Sequence, residues 1–277
     1  MQRSKLHIYT ADVFLMPHRT MRLVDAHIHL TDKEYSGYIK HVLNNLKALR
    51  IMACSMTVNL ETLTRSLELF SNHMTEVIPF AGIHPEYALT DDVTNFIDIL
   101  ERNSESIHGI GEIGLDPTYT GHEESLFEQQ KKVFLSLLQY AERTSKPISI
   151  HSRGSLDQIL DILGTYNVRN VLLHWFAGSK KQLARSMDMG LFVSYGPILI
   201  YSDEKKSLLK HTAKDKFLTE TDGPVRYQRC FGNLPSMSSS LLVSVVSCAA
   251  NILKMSYTDT ASLLEKNAES YLGMKLC

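Results

Sequence analysis

Cysteine, net charge and long apolar runs are all scarce in this 277-residue sequence, and each shortage excludes a class of protein. The four cysteines, Cys54, Cys230, Cys248 and Cys277, have neither metal-type nor CxxC spacing, which argues against a disulfide framework and a redox pair. The formal net charge of −1 gives no electrostatic argument for binding nucleic acid or an anionic membrane. No apolar run is long enough to span a bilayer. We therefore expect a protein of the reducing cytoplasm that has no membrane partner.

The first twenty residues differ in character from the rest of the chain. Their mixed stretch from Leu6 to Met16 is broken by His7 and Asp12, and it lacks the apolar region and cleavage site of a signal peptide. Met21 stands directly before the first strand-like segment. We expect residues 1–20 to be a dispensable extension or the product of a misassigned start. Residues 21–277 contain no internal repeat or linker, and we expect them to form a single domain.

Short apolar segments alternate with amphipathic ones along this domain, in a pattern typical of parallel strands connected by helices. Eight strands, most of them followed by a helix, predict a (β/α)8 TIM-type barrel, although a doubly wound open sheet has the same local pattern. The predicted strands cover residues 22–27, 51–58, 77–82, 107–112, 147–151, 171–174, 191–194 and 216–220. The predicted helices cover residues 37–49, 123–145, 156–166, 180–189, 238–253 and 258–271.

Histidines and acids occur where these strands end. Two histidines are spaced two residues apart at the end of the first strand, so their side chains point to the same face. In a barrel all strand ends of this kind meet at one mouth, where such enzymes place their chemistry. Four imidazoles with two carboxylates suit Zn, Mn, Fe or Mg. The six candidate ligands are His27, His29, Glu112, His151, His174 and Asp222.

Each candidate ligand also has a structural interpretation. His151 and His174 are each compatible with a core histidine bonded to the backbone, and Glu112, between glycines, with a turn acid. Asp222 before Gly223 is compatible with an Asx-turn. Six ligand-type residues at five strand ends nevertheless favour a metal centre over six independent structural roles.

The chain resembles the TatD-related family of metal-dependent deoxyribonucleases, within the amidohydrolase-like barrel superfamily. The similarity runs in order from about residue 22 to 273, and Phe127, Gln130 and Asn267 also fit the family pattern. The matching strings are VDAHIHL at 24–30, GIHP at 82–85, GEIGLD at 111–116, IHSR at 150–153, HWFAG at 174–178 and TETDGP at 219–224.

The resemblance implies a two-ion site of divalent Mg, Mn or Zn. The histidines of the first strand and Asp222 hold one ion, His151 and His174 hold the other, and Glu112 bridges the two. Asp222 also accepts the proton of the attacking water, in keeping with general-base catalysis beside a metal site. Asp222 and Glu112 are thus the expected catalytic residues.

Several neighbouring residues receive secondary expectations. His84 and Arg153 match positions that the family associates with substrate phosphate, although a surface salt bridge is an equal alternative for Arg153. Trp175 is compatible with stacking on a base, but we expect it to pack behind its strand. Glu220 is expected either to support a metal-bound histidine or to form a plain salt bridge. His108 lies at a strand beginning, away from the mouth, so we expect a structural role.

The implied function is hydrolysis of phosphodiester bonds in DNA, exonucleolytic and on a single strand, by a monomer. Several departures from the family pattern bear on the substrate. Residues 117–122 after Asp116 are atypical, Trp175 replaces the common Cys, Ala177 replaces the usual hydroxyl residue, and residues 227–233 differ from the family's basic loop. One alternative therefore keeps the metal site but hydrolyses an amide, ester or phosphoester of a small molecule. An inactive barrel that serves as a binding module is the alternative from another class.

Overall fold

Eight parallel strands form a single sheet in which each strand pairs with the next one along the chain. A computed structural model describes residues 21–70 and 75–276, so the predicted extension at 1–20 lies outside the described residues. Every strand is followed by at least one helix. The strands are β1 Leu23–Ile28, β2 Ile51–Met56, β3 Val77–Ala81, β4 Gly109–Gly114, β5 Ile148–His151, β6 Val171–Leu173, β7 Phe192–Tyr195 and β8 Phe217–Thr219.

The sheet closes on itself just beyond the last strand. The Asp222 N–H donates to the carbonyl of His27 at 2.8 Å, and the His29 N–H donates to the carbonyl of Gly223 at 2.8 Å. The buried carboxylate of Asp25 also accepts hydrogen bonds from the N–H and hydroxyl of Thr221. These contacts bring the ends of β1 and β8 together. The (β/α)8 barrel is confirmed, and the doubly wound open sheet is excluded.

The helices surround this barrel. Among the described residues they are α1 Ile39–Leu49, α2 Leu60–Phe70, α3 Val93–Arg102, α4 Glu124–Thr144, α5 Leu156–Leu163, α6 Lys180–Asp188, α7 Asp203–His211, α8 Gln228–Phe231, α9 Leu242–Leu253 and α10 Tyr257–Leu272. The six predicted helices are confirmed, whereas α2, α3, α7 and α8 were not predicted. Of these, α7 is mostly charged and buries chiefly Leu208 and Leu209, so its hydrophobic periodicity is weak.

The C-terminal helix α10 covers the end of the barrel opposite the mouth. Tyr271 and Leu272 pack with alternate, inward-facing residues of the strands, such as Met52 and Phe80. His108 Nε2 lies 2.8 Å from the carbonyl oxygen of Leu272, which confirms its structural role. Within the described ranges no single helix is long and apolar enough to cross a membrane. One pair of helices, Ser239–Leu253 with Tyr257–Leu272, reaches the necessary length and apolar composition only when the two are taken together, and the chain bends by 107° between them.

Asn267 on α10 generates a prediction about stability. Its buried side-chain amide donates to the carbonyls of Lys214 at 2.8 Å and Phe217 at 2.9 Å, which fixes α10 to the start of β8. Asn267→Ala leaves both carbonyls without this donor, so we expect a loss of about 1–3 kcal/mol in the free energy of unfolding. Urea unfolding checks the value, with the exposed Asn251→Ala on α9 as the matched control. A change equal to that of the control contradicts the prediction.

Candidate metal centre

The first cluster of ligand-type side chains forms where β1 and β8 meet. The Nε2 atoms of His27 and His29 lie 3.2 Å apart. Asp222 Oδ1 lies 3.3 Å from His29 Nε2 and 3.7 Å from His27 Nε2. The turn N–H of Val225 donates to the Asp222 backbone carbonyl, so the Asx-turn interpretation is not needed and the carboxylate faces the histidines. These three side chains offer ligand atoms within 4.8 Å of one another.

Glu112 lies between this cluster and a second group of histidines. Its Oε2 is 3.3 Å from both His27 Nε2 and His29 Nε2. Its Oε1 is 2.9 Å from His151 Nδ1 and 2.7 Å from His174 Nε2. Each oxygen of one carboxylate thus faces a different pair of imidazoles, as a bridging ligand requires. Glu112 lies inside β4 and is not the turn acid of the structural interpretation.

His84 is closer to these ligands than the sequence suggested. It is buried, and its Nε2 lies 3.6 Å from Glu112 Oε1 and 3.4 Å from His151 Nδ1. His84, Glu112 and His151 form a second group with ligand atoms within 4.8 Å, whereas the predicted second pair was His151 with His174. Seven of the eight predicted site residues, including Arg153, therefore line one mouth, His27 lies buried beside them, and His84 is added as a candidate ligand.

Two glycines allow the chain to pass this closely around Glu112. A Cβ at Gly82, before His84, would lie 2.5 Å from the backbone oxygen of Glu112, so only glycine fits there. A Cβ at Gly114 would lie 2.0 Å from the backbone oxygen of His151. Both glycines belong to the strings that carry the family resemblance, and the structure gives them a steric reason.

Burial and close contacts between acids and imidazoles shift the pKa values of the clustered side chains. Burial and the neighbouring His174 lower the pKa of His27 to about 3. Burial also opposes the charge on His29, but hydrogen bonds with Asp222 and Glu112 outweigh it and raise the pKa of His29 to about 10. Although burial acts in the opposite direction, His174, His84 and His27 together hold the pKa of the Glu112 carboxyl well below its usual range. The surrounding imidazoles thus favour the ionised form of this buried carboxyl group.

The residues present fit divalent cations. His27 Nδ1 pairs with Ser149 Oγ at 2.9 Å, which leaves Nε2 to face His29, Glu112 and Asp222. Nitrogen atoms facing each other at 3.2 Å, with carboxylate oxygens on either side, are the donor set of a metal site. Within the described part of the chain, Nδ1 of His174 is also buried without a hydrogen-bond partner.

Asp116 supports the site from outside, and sequence reasoning assigned it no role. Its buried carboxylate accepts hydrogen bonds from His151 Nε2 and Arg153 Nε, each at 2.8 Å, and from Thr118. These contacts hold the ring of His151 with Nδ1 toward Glu112. Arg153 is therefore ion-paired, as its structural interpretation proposed, and it still lines the mouth. Nothing in the local pattern around Asp116 indicates a partner 35 residues away.

Glu220 lies beside a candidate ligand, as expected, whereas Trp175 differs from expectation. Glu220 Oε2 lies 3.9 Å from His174 Nδ1, within ion-pair distance but too far for a hydrogen bond, and its carboxyl accepts from Trp175 N–H at 2.7 Å and Ser194 Oγ at 2.6 Å. Burial raises the pKa of Glu220 to about 8. Trp175 does not pack behind β6, because its φ of 42° is left-handed and its side chain lines the mouth. There it stacks on Tyr227, with ring centroids 5.4 Å apart.

The mouth encloses a cavity of about 630 Å³. This volume suits a small organic ligand. Apart from histidines, its only basic lining residues in the described ranges are Arg153 and Arg226, and each is paired with an acid. Its acidic lining residues are Asp32, Glu34, Glu86, Glu112 and Asp222.

Comparison with known proteins places the chain in a family. Residues 24–273 match the family model of the TatD-related DNases. The chain is 28% identical over 214 residues to a human protein named deoxyribonuclease TATDN3, covering 73% of this chain and 78% of that protein. It is 26% identical over 254 residues to YabD of Bacillus subtilis, an uncharacterized metal-dependent hydrolase, covering 89% and 97%. The chain therefore belongs to the TatD-related DNase family.

Solved structures agree with the fold. YjjV, a TatD homologue from Escherichia coli, superimposes with a TM-score of 0.81 at 21% identity, covering 91% of this chain and 98% of that one. A dihydroorotase from Campylobacter jejuni gives a TM-score of 0.62 at 15% identity, covering 92% and 84%. Both structures agree with the barrel fold expected from the sequence.

The position of Glu112 predicts how metal binding depends on it. Glu112→Ala removes one oxygen from each cluster, so we expect the two-ion centre that the family resemblance implies to lose both ions together. Elemental analysis after equilibrium dialysis checks this, with the exposed Glu105→Ala as the matched control. Because the alanine variant leaves several imidazoles unpaired, Glu112→Gln is measured beside it. Loss of only one ion in both variants contradicts a bridging role.

Asp116 generates a second prediction about metal affinity. Asp116→Asn weakens the acceptor that orients His151, and loss of such outer support typically lowers metal affinity about 10- to 100-fold. Competition with a fluorescent zinc chelator measures the affinity, and the exposed Asp157→Asn is the control. An affinity equal to that of the control would show that His151 keeps its orientation without Asp116.

Proposed function

We propose that this member of the TatD-related DNase family hydrolyses phosphodiester bonds in DNA, releasing nucleotides from the end of a single strand. The observation that carries the proposal is the position of Glu112, whose two oxygens face separate imidazole pairs at 2.7–3.3 Å. The names of the curated relatives support DNA as the substrate.

We propose two divalent ions, Mg, Mn or Zn, for the cluster. His27, His29 and Asp222 would hold one ion, and His151 and His174, with His84 nearby, would hold the other. Glu112, which faces both groups, would be shared between the two ions. Divalent cations so placed make water acidic enough to attack near neutral pH and offset negative charge on a phosphoryl oxygen.

Asp222 is the proposed general base. It faces the first cluster, and its pairing with His29 Nε2 at 3.3 Å holds its carboxylate at the mouth. The carboxylate takes the proton from water as the water oxygen bonds to phosphorus and the bond from phosphorus to the leaving oxygen breaks. A proton then returns to the leaving oxygen, so the reaction yields a terminal phosphate and a free hydroxyl.

The cavity supports action at a strand end. Its volume of about 630 Å³ accommodates a ligand of roughly nucleotide size, whereas a continuous duplex needs an open groove. All of the proposed ligands come from one chain, so a monomer suffices.

A small-molecule phosphoester, ester or amide is the second candidate substrate. It is favoured by the ion pairs of Arg153 with Asp116 and of Arg226 with Glu34, which leave the mouth without an unpaired guanidinium for an extended DNA backbone. Cleavage of small p-nitrophenyl esters or phosphoesters without any shortening of oligonucleotides would favour this candidate.

Asp222→Asn tests the proposed base. The substitution keeps the shape of the side chain and removes its capacity to accept a proton, so we expect the turnover rate to fall about 10²- to 10⁴-fold. The measurement is the shortening of an end-labelled single-stranded oligonucleotide with added Mg or Mn, for the variant and the wild type. Asp188→Asn, an exposed change at the end of α6, is the control and should retain full activity. Activity of Asp222→Asn near the wild-type level would rule out this role.

A further inference from the structure

We propose that Trp175 forms a stacking platform for the base of the nucleotide whose phosphodiester is cleaved. This inference rests on the proposed function and names the contact that would hold the organic part of the substrate. Trp175 follows His174 directly in the chain, and its side chain lines the same cavity as His29 and Asp222. A flat apolar ring therefore stands beside the ligand cluster.

The indole is held as a rigid surface. It stacks on the ring of Tyr227 at an interplanar angle of 14°, and Tyr227 is itself buried, with its hydroxyl donating to the Thr221 carbonyl at 2.8 Å. Tyr227 covers one face of the indole, and the rest of the partly exposed Trp175 side chain borders the cavity. An aromatic ring fixed in this way loses little conformational entropy when a second flat ring stacks on it.

The backbone at Trp175 is also held against its own preference. A φ of 42° is rare for a bulky residue, and positions of this kind cluster at ligand-binding sites. The Trp175 N–H donates to Glu220 Oε1 at 2.7 Å and to Ser194 Oγ at 3.1 Å, and these bonds fix the conformation. The buried Glu220 thus serves to place the indole at the mouth.

The chemistry of the lining favours a nucleobase over other groups. Tyr119, on the loop after β4, lines the same cavity and meets His84 edge to face at 5.4 Å, so aromatic rings flank the cluster from two loops. The two arginines of the lining are paired with acids, so stacking on an aromatic ring is a contact that the chain can offer to a base without breaking an ion pair. Stacking is tolerant of base identity, so we expect little sequence preference.

Trp175 is the only tryptophan in the sequence, so its fluorescence reports directly on the proposed contact. Wild-type protein loaded with Mg is excited near 300 nm and titrated with dAMP, and in parallel with deoxyribose 5-phosphate, which has the phosphate and sugar without the base. We expect saturable quenching by dAMP alone. Equal quenching by both compounds, or none by either, overturns the proposal.

Variants separate stacking from a merely structural role. We expect Trp175→Leu to raise KM for a single-stranded oligonucleotide about 10-fold, the usual effect of losing one base–aromatic stack, with a much smaller change in kcat. Trp175→Phe retains a flat ring and should restore most of the KM. Tyr257→Leu, an exposed aromatic outside the cavity, is the control and should leave KM unchanged. An unchanged KM in Trp175→Leu overturns the proposal.

Folding and function remain distinguishable in this design. If Trp175→Leu fails to fold, as judged by Tm, the wild-type titration and Trp175→Phe still decide the question. If the wild type is quenched by dAMP but does not cleave DNA, the stacking platform stands and the proposed nuclease function fails. If it cleaves DNA but dAMP does not quench it, the nuclease function stands and the platform is overturned.

Discussion

The structure depends on one buried carboxylate, that of Glu112. A charged group of this kind is costly inside a protein unless opposite charge surrounds it, and here three strand ends and one loop bring five imidazoles around it. His27 and His29 face one oxygen, and His151 and His174 face the other. The parallel barrel is the architecture that makes this arrangement possible, because it directs all eight strand ends to one mouth.

A second layer of polar side chains fixes the imidazoles that face Glu112. Asp116 orients His151 through its Nε2, and Ser149 pairs with His27 Nδ1. Each of these bonds occupies one ring nitrogen and leaves the other for the centre of the site, which is how outer residues tune a metal ligand. Glycines at positions 82 and 114 permit the close backbone contacts that this packing requires.

The sequence could group the six candidate ligands because each lies within three residues of a strand end, and strand ends follow from the hydrophobic pattern. The period-two spacing of His27 and His29 needs no tertiary information at all. What could not be predicted lies on the loops. The contact of Asp116 with His151 spans 35 residues, and the direction of Trp175 depends on a left-handed backbone that β6 itself does not imply. The approach of His84 to Glu112 likewise follows from the path of the loop after β3 and from Gly82.

The charges of the mouth suggest an order for binding. Five acids line the cavity, and its arginines and imidazoles are already paired with acids, so without cations the cavity offers a phosphate little unpaired positive charge. The two divalent cations proposed for the cluster would supply that charge. By thermodynamic linkage, phosphate must then raise the affinity for the cations by the same factor as the cations raise the affinity for phosphate. A base platform at Trp175 acts independently of that charge. The cations would therefore determine whether a phosphoester binds at all. The stacking platform at Trp175 would select phosphoesters that carry a base.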